Sequence, residues 1–182
     1  MSHDPPKTYM IVDFETSGIT KDALAIEVAC IFCDEDFNIR AVYESLIKRE
    51  EFKDKTEWYT DDELEGYRVH RLPVGFLLTA GKELDLIQSE ISSIISSKGL
   101  KSIHLVSDNS YFDMNMWKST FPNLTNAKMP NYFHYRSFDS KMFVDQVGIE
   151  RTRAKTHRAL QDAFVVYKDI IRAKQKLGNF TT

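Results

Sequence analysis

Cysteine is scarce in this 182-residue chain, which carries Cys30 and Cys33 only. They form a C-x-x-C, but they stand in the apolar run that begins at Ala25. Residues three apart on a strand point to opposite faces, so the pair is expected as buried structural thiols rather than a redox or zinc pair. Long hydrophobic runs are missing as well: no apolar stretch has the length to span a bilayer. The N-terminal Met-Ser-His-Asp-Pro-Pro lacks the basic-then-apolar layout of a signal peptide. The expectation is a cytoplasmic protein with no membrane partner and a flexible segment over residues 1–7. An excess of basic charge is absent too. With 24 Lys plus Arg against 27 Asp plus Glu the formal net charge is −3, which excludes a protein that coats long nucleic acid by counterion release. Any nucleic-acid contact has to be local. Finally there is no repeat, low-complexity segment or second composition block. A 42% hydrophobic content therefore predicts one α/β domain over residues 1–182.

What is present is a succession of short apolar runs and amphipathic stretches. Tyr9 to Val12 reads as a buried strand, and Thr16-Ser17-Gly18 as the turn after it. Leu24 to Phe32 and Ile39 to Ile47 continue as a strand meander across the polar break Asp34-Glu35-Asp36. Lys48 to Arg71 is charged and without sustained period, a loop with a short helix near Asp61 to Tyr67. Pro73 opens one long amphipathic helix that Gly99 closes, its stripe formed by Phe76, Leu77, Leu84, Leu86, Ile87, Ile91, Ile94 and Ile95. Ile103 to Val106 predicts a fourth strand and Phe112 to Phe121 a helix. After a brief strand, Ser137 to Val147 predicts another short helix, and His157 to Lys176 forms the last helix. Tyr111, Phe112 and Trp117 are expected in the core.

Five side chains stand out for chemistry. Asp13 and Glu15 close the first strand two residues apart, so they share one sheet face. Two carboxylates side by side repel, and a divalent cation keeps both ionised. Oxygen ligands favour magnesium or manganese over zinc. Asp113 stands just past the carboxyl end of the fourth strand, where open α/β sheets place their sites. His157 and Asp162 are five apart, about 140° around a helix at ~100° per residue. His157 therefore belongs at the helix start, with Thr156 as a candidate N-cap and Asp162 on the inner face. An imidazole with a reference pKa near ~6.5 at that edge suits a general base. The basic group Arg151, Arg153, Lys155 and Arg158 adjoins it and reads equally as a solvated face or as a phosphate contact.

In this order D-F-E, N-x-x-F-D and H-x-x-x-x-D resemble the three motifs of the DEDDh family of 3′-to-5′ exonucleases. Within the family the oligoribonuclease group is the nearest likeness, through chain length, Trp58, and Tyr132-Phe133-His134-Tyr135-Arg136 ahead of Asp139. The resemblance implies a ribonuclease H-like α/β fold, a mixed sheet of about five strands flanked by helices. It implies hydrolysis of short single-stranded RNA to nucleoside 5′-monophosphates with two Mg2+ or Mn2+ ions per site. Asp13, Glu15, Asp113 and Asp162 would hold the metals and His157 would activate the water. It also implies a homodimer in which Tyr135 reaches the partner's site, with Arg136, Ile19 and Ser110 as further substrate contacts. The tight Asn109-to-Asp113 spacing is more like proofreading subunits and ribonuclease T, and Glu63 stands about where oligoribonuclease has a histidine that caps the 5′ phosphate. Single-stranded DNA remains open as a substrate, and so does a ribonuclease H-like domain that binds without cutting.

Overall fold

In a computed structural model the described residues are 7–20, 22–125, 133, 137–152 and 156–178. They build one five-stranded sheet with helices on both faces. The strands are β1 (Thr8–Thr16), β2 (Ala25–Cys33), β3 (Ile39–Leu46), β4 (Ile103–Ser107) and β5 (Phe138–Asp139), in the order β3-β2-β1-β4-β5. β1 pairs antiparallel with β2 and parallel with β4, and the sheet is therefore mixed. The helices are α1 (Asp61–His70), α2 (Val74–Ala80), α3 (Leu84–Ser97), α4 (Ser110–Thr120), α5 (Pro122–Thr125), α6 (Ser140–Gln146) and α7 (Ala159–Gly178).

Alternation along β1 and β2 divides the interior. Met10, Val12, Phe14, Val28, Cys30 and Phe32 face α3 and α4 and pack with Ile87, Ile91, Ile95, Trp117 and Phe121. Ile11, Ala29, Ile31 and Cys33 face α7 and meet Ala159, Ala163, Val166 and Ile170. Those α7 positions recur at helical spacing, so one stripe of the helix covers the sheet. Each buried Ile or Val side chain there contributes roughly 1.5–3 kcal/mol. Cys30 and Cys33 fall on opposite faces as expected, both free and buried, and burial pushes both thiols well up. A third cluster, with Ile26, Phe52, Trp58, Leu72, Val74 and Leu77, seats α2 beside the sheet, and His70 at the end of α1 meets its Trp58 edge-on.

The long helix expected from Pro73 to Gly99 is two helices. The chain leaves α2 at Gly81, and Lys82 runs as a short parallel bridge against Ile47. Lys82 N–H donates to the Leu46 carbonyl at 3.0 Å, and Lys48 N–H to the Lys82 carbonyl at 2.9 Å. A Cβ on Gly81 would stand 2.4 Å from the Leu77 carbonyl oxygen and 2.7 Å from the Lys48 nitrogen. The close approach needs glycine. Pattern alone ran through the break because α2 buries Val74 and Leu77 and α3 buries Ile87, Ile91 and Ile95 at helical spacing, but Phe76 and Leu86 of the expected stripe are 47% and 50% exposed. α1 also extends three residues past Tyr67. Its start is a capping box: the Thr60 hydroxyl accepts from Glu63 N–H while the Glu63 carboxylate accepts from Thr60 N–H.

Candidate active site

Asp13 and Glu15 lie on the face of β1 that α7 covers. The register sets Asp13 beside Ala29 and Glu15 beside Glu27. Glu15 is buried and Asp13 half-buried. From the opposite side α7 brings Asp162, buried in its first turn. The ligand atoms of Glu15, His157 and Asp162 all lie within 4.8 Å of one another. Asp13 and Asp113 are not part of that group. Asp113 sits buried in the first turn of α4, at the carboxyl end of β4. It is positioned by the Asn109 cap, whose side chain accepts from Phe112 N–H at 3.3 Å. β1 and β4 are parallel neighbours, so their carboxyl ends open on the same edge of the sheet, the edge where α/β folds place sites.

The entry to α7 is tied at every residue from 156 to 159. Asp162 Oδ1 accepts from Thr156 N–H at 2.8 Å and from the Thr156 hydroxyl at 3.1 Å, and its Oδ2 accepts from His157 N–H at 3.1 Å. Thr156 is therefore not the helix cap that its sequence position suggested. α7 begins at Ala159, and Arg158 in the capping position has no side-chain oxygen to offer its first amides. Glu27 supplies it from β2: its Oε2 accepts from Ala159 N–H at 3.1 Å. The same carboxylate takes Arg158 Nη2 at 2.7 Å and Nε at 3.1 Å. His157 itself has a φ of 54°, a left-handed backbone that a residue with a Cβ adopts at a cost.

Glu27 is the site residue that the motifs did not reveal. A signal was there: it is the one charged residue in A-I-E-V-A-C-I-F-C, a strand buried along its whole length. A lone carboxylate in such a strand needs a partner, and Arg158 sits next to the candidate base. Arg158 is thereby taken up in an ion pair, and Arg151 pairs with Asp108 and Asp145. Arg153 and Lys155 lie outside the described residues.

The candidate substrate contacts are placed unevenly. Ile19 projects into solvent, 68% exposed, on the turn after β1. Asp62 of α1 fixes this turn by accepting from Ile19 N–H at 2.8 Å and Thr20 N–H at 3.0 Å. Gly66 lets α1 press onto it, since a Cβ there would come 2.9 Å from the Ser17 carbonyl oxygen. Ser110 opens α4, with its hydroxyl 3.4 Å from Asp139 Oδ2. Tyr135 and Arg136 lie outside the described residues, as does His134. Tyr111 corrects an expectation: it is 81% exposed, because α4 turns its Met116 and Trp117 face inward and leaves Tyr111 on the outer one. Trp117 is core as expected. Trp58 is core too, with its indole N–H on the Leu72 carbonyl at 2.9 Å. Glu63 is engaged with the α1 cap and Lys55.

No protein-family model matches the sequence, and no curated protein matches it. Solved structures do resemble it in shape. Cell-death related nuclease 4 matches with a TM-score of 0.56 at 14% identity, over 92% of this chain and 64% of that one. Exonuclease I of E. coli in complex with a dA16 oligonucleotide gives 0.64 at 14% identity, over 89% of this chain and 39% of that one. Its complex with a dT13 oligonucleotide gives 0.64 over 96% and 43%. The chain thus spans less than two thirds of the structures it matches. What the likeness establishes is the fold, a ribonuclease H-like mixed sheet flanked by helices, shared with these exonucleases.

Proposed function

We propose that the protein is a metal-dependent 3′-to-5′ exonuclease that hydrolyses short single-stranded RNA to nucleoside 5′-monophosphates. The observation that carries the reading is the meeting of Glu15, His157 and Asp162 within 4.8 Å, three residues drawn from the first and third motifs. Two carboxylates and an imidazole so close, with Asp13 on the same strand face and Asp113 at the neighbouring strand end, form a donor set suited to hard divalent cations. Asp13, Glu15, Asp113 and Asp162 would hold Mg2+ or Mn2+, two ions in the full reading. Such ions supply charge neutralisation at the phosphodiester and an acidified water. His157, at the rim, takes the proton from the attacking water and releases it to solvent. Ile19 and Tyr111 are both exposed near the carboxyl ends of adjacent strands; Ile19 is available to wedge against a terminal base and Tyr111 to stack on one, with Ser110 beside Tyr111. Tyr135 remains part of the proposal as a contact made across a homodimer, and Arg136 as a grip on a substrate phosphate. A cytoplasmic setting belongs to it too, and no helix among the described residues is long and apolar enough to cross a membrane.

A second reading keeps the chemistry and changes the substrate to single-stranded DNA. The Asn109-to-Asp113 spacing favours it, and so do the DNA complexes of exonuclease I, whose fold this chain shares. The test uses 5′-labelled RNA and DNA of matched sequence, as 2-mers to 5-mers and 20-mers, with Mg2+ or with EDTA. The expected result is stepwise loss of 3′ nucleotides that needs the metal and is fastest per enzyme on the short RNA. Equal rates at both lengths would move the reading to a general single-strand exonuclease, and no metal-dependent cleavage of any strand would end it.

A further inference from the structure

We infer that Glu27 and Arg158 are positioning residues for His157, a role that rests on the reading of His157 as the base. Glu27 is fully buried on the sheet face that carries Asp13 and Glu15. It is the register partner of Glu15, so by place alone it could compete for a cation. Its oxygens are taken instead by Arg158 Nε and Nη2 and by Ala159 N–H. A carboxylate with its lone pairs occupied by a guanidinium and an amide has little left for a metal. Its work is directed at the chain just past His157.

Among the described residues before α7, 149–152 and 156–158 belong to no helix or strand. Two carboxylates on α7, one turn-pair apart, hold this lead: Asp169 accepts from Thr152 N–H at 3.0 Å and from its hydroxyl at 2.8 Å, and Asp162 accepts from Thr156 and His157. Both ties are internal to the helix and its lead. The Glu27 link differs because it fastens the helix start to the sheet, and so to Glu15. A left-handed backbone at His157 persists only where its surroundings over-determine it. Here the amide of His157 is fixed by Asp162, and the next two residues are fixed by Glu27. The imidazole is thereby aimed from both sides, and its place against Glu15 follows from the β2 carboxylate rather than from α7 alone.

The test compares Glu27→Gln, which keeps the shape and an acceptor for Ala159, with Arg158→Lys, His157→Ala and the double variant Glu27→Gln/His157→Ala. Folding is checked by amide dispersion in NMR, and Arg158→Lys stands in should Glu27→Gln fail to fold. We expect Glu27→Gln to lower kcat per folded molecule ten- to a hundredfold, with KM and the Mg2+ half-saturation within about threefold. In the His157→Ala background the same change should cost nothing further, since Glu27 acts through His157. NMR couplings at His157 χ1 should report one rotamer in the wild type and averaging in Glu27→Gln. A kcat within twofold of wild type, or equal further loss in the His157→Ala background, overturns the inference. If the wild type hydrolyses nothing, the exonuclease reading fails by itself. The rotamer measurement then decides the positioning, which an unchanged χ1 overturns.

Discussion

The two faces of β1 carry opposite duties. Met10, Val12 and Phe14 point into a cluster closed by Trp117 and Phe121, with Phe14 6.3 Å from each ring centroid. Ile11 begins the other face in the same apolar way, and Asp13 and Glu15 then turn it polar where α7 starts. Backbone, hydrogen-bond ladder and neighbouring strands are shared, and only the parity of the residue number separates the core face from the carboxylate face proposed to carry the chemistry. The difference shows what it takes to bury charge. The apolar face needs only shape, whereas the carboxylates gathered on the polar side are satisfied from elsewhere: Arg158 and the Ala159 amide occupy Glu27, and Thr156 occupies Asp162.

Breaking the polar face should cost activity rather than stability. Asp13→Asn is expected to slow metal-dependent hydrolysis by about a thousandfold or more, roughly 4 kcal/mol of barrier, with a melting temperature equal to or above the wild type because like charges are thinned. A variant that keeps a tenth of the wild-type rate in Mg2+ would break the division of labour. One residue along, Phe14→Ala should do the reverse. Chemical denaturation should show a loss of about 3 kcal/mol, while turnover per folded molecule stays within tenfold.

His70 sharpens the contrast, since it is a buried ionisable group without the ring of partners that Glu27 enjoys. Its Nδ1 accepts from Leu72 N–H at 2.9 Å, and its Nε2 has no hydrogen-bond partner among the described residues. Burial lowers its pKa to about 4. Between that value and an unfolded pKa near ~6.5 the unfolded chain binds the proton and the folded one does not, so stability is complete above ~6.5 and falls as pH drops toward about 4. From pH 7.5 to 5.0 the wild type should lose about 2 kcal/mol more than His70→Gln, measured by denaturation at both pH values. Equal losses would mean that the ring finds water. The smallest effect is expected at Thr60→Ala, which removes half of the α1 capping box and should cost about 1 kcal/mol. Because Asp62 in that helix fixes the Ile19 turn, amide exchange at Ile19 and Thr20 should rise in the same variant while exchange in β1 does not.

The sequence by itself determined the strands, their order of appearance and the parity that puts Asp13 and Glu15 on one face, because alternation and helical spacing are local properties of a polymer. The three motifs followed from the same linear record, and so did the opposed faces of Cys30 and Cys33. Tertiary structure decided what depends on approach between distant segments. Gly81 breaks a helix because Ile47 and Lys48 come alongside it, a fact no window around residue 81 contains. Tyr111 is exposed because α4 offers a different stripe to the sheet. Glu27 caps α7 across 131 and 132 residues of chain, since a helix whose own capping residue is arginine must find its acceptor elsewhere.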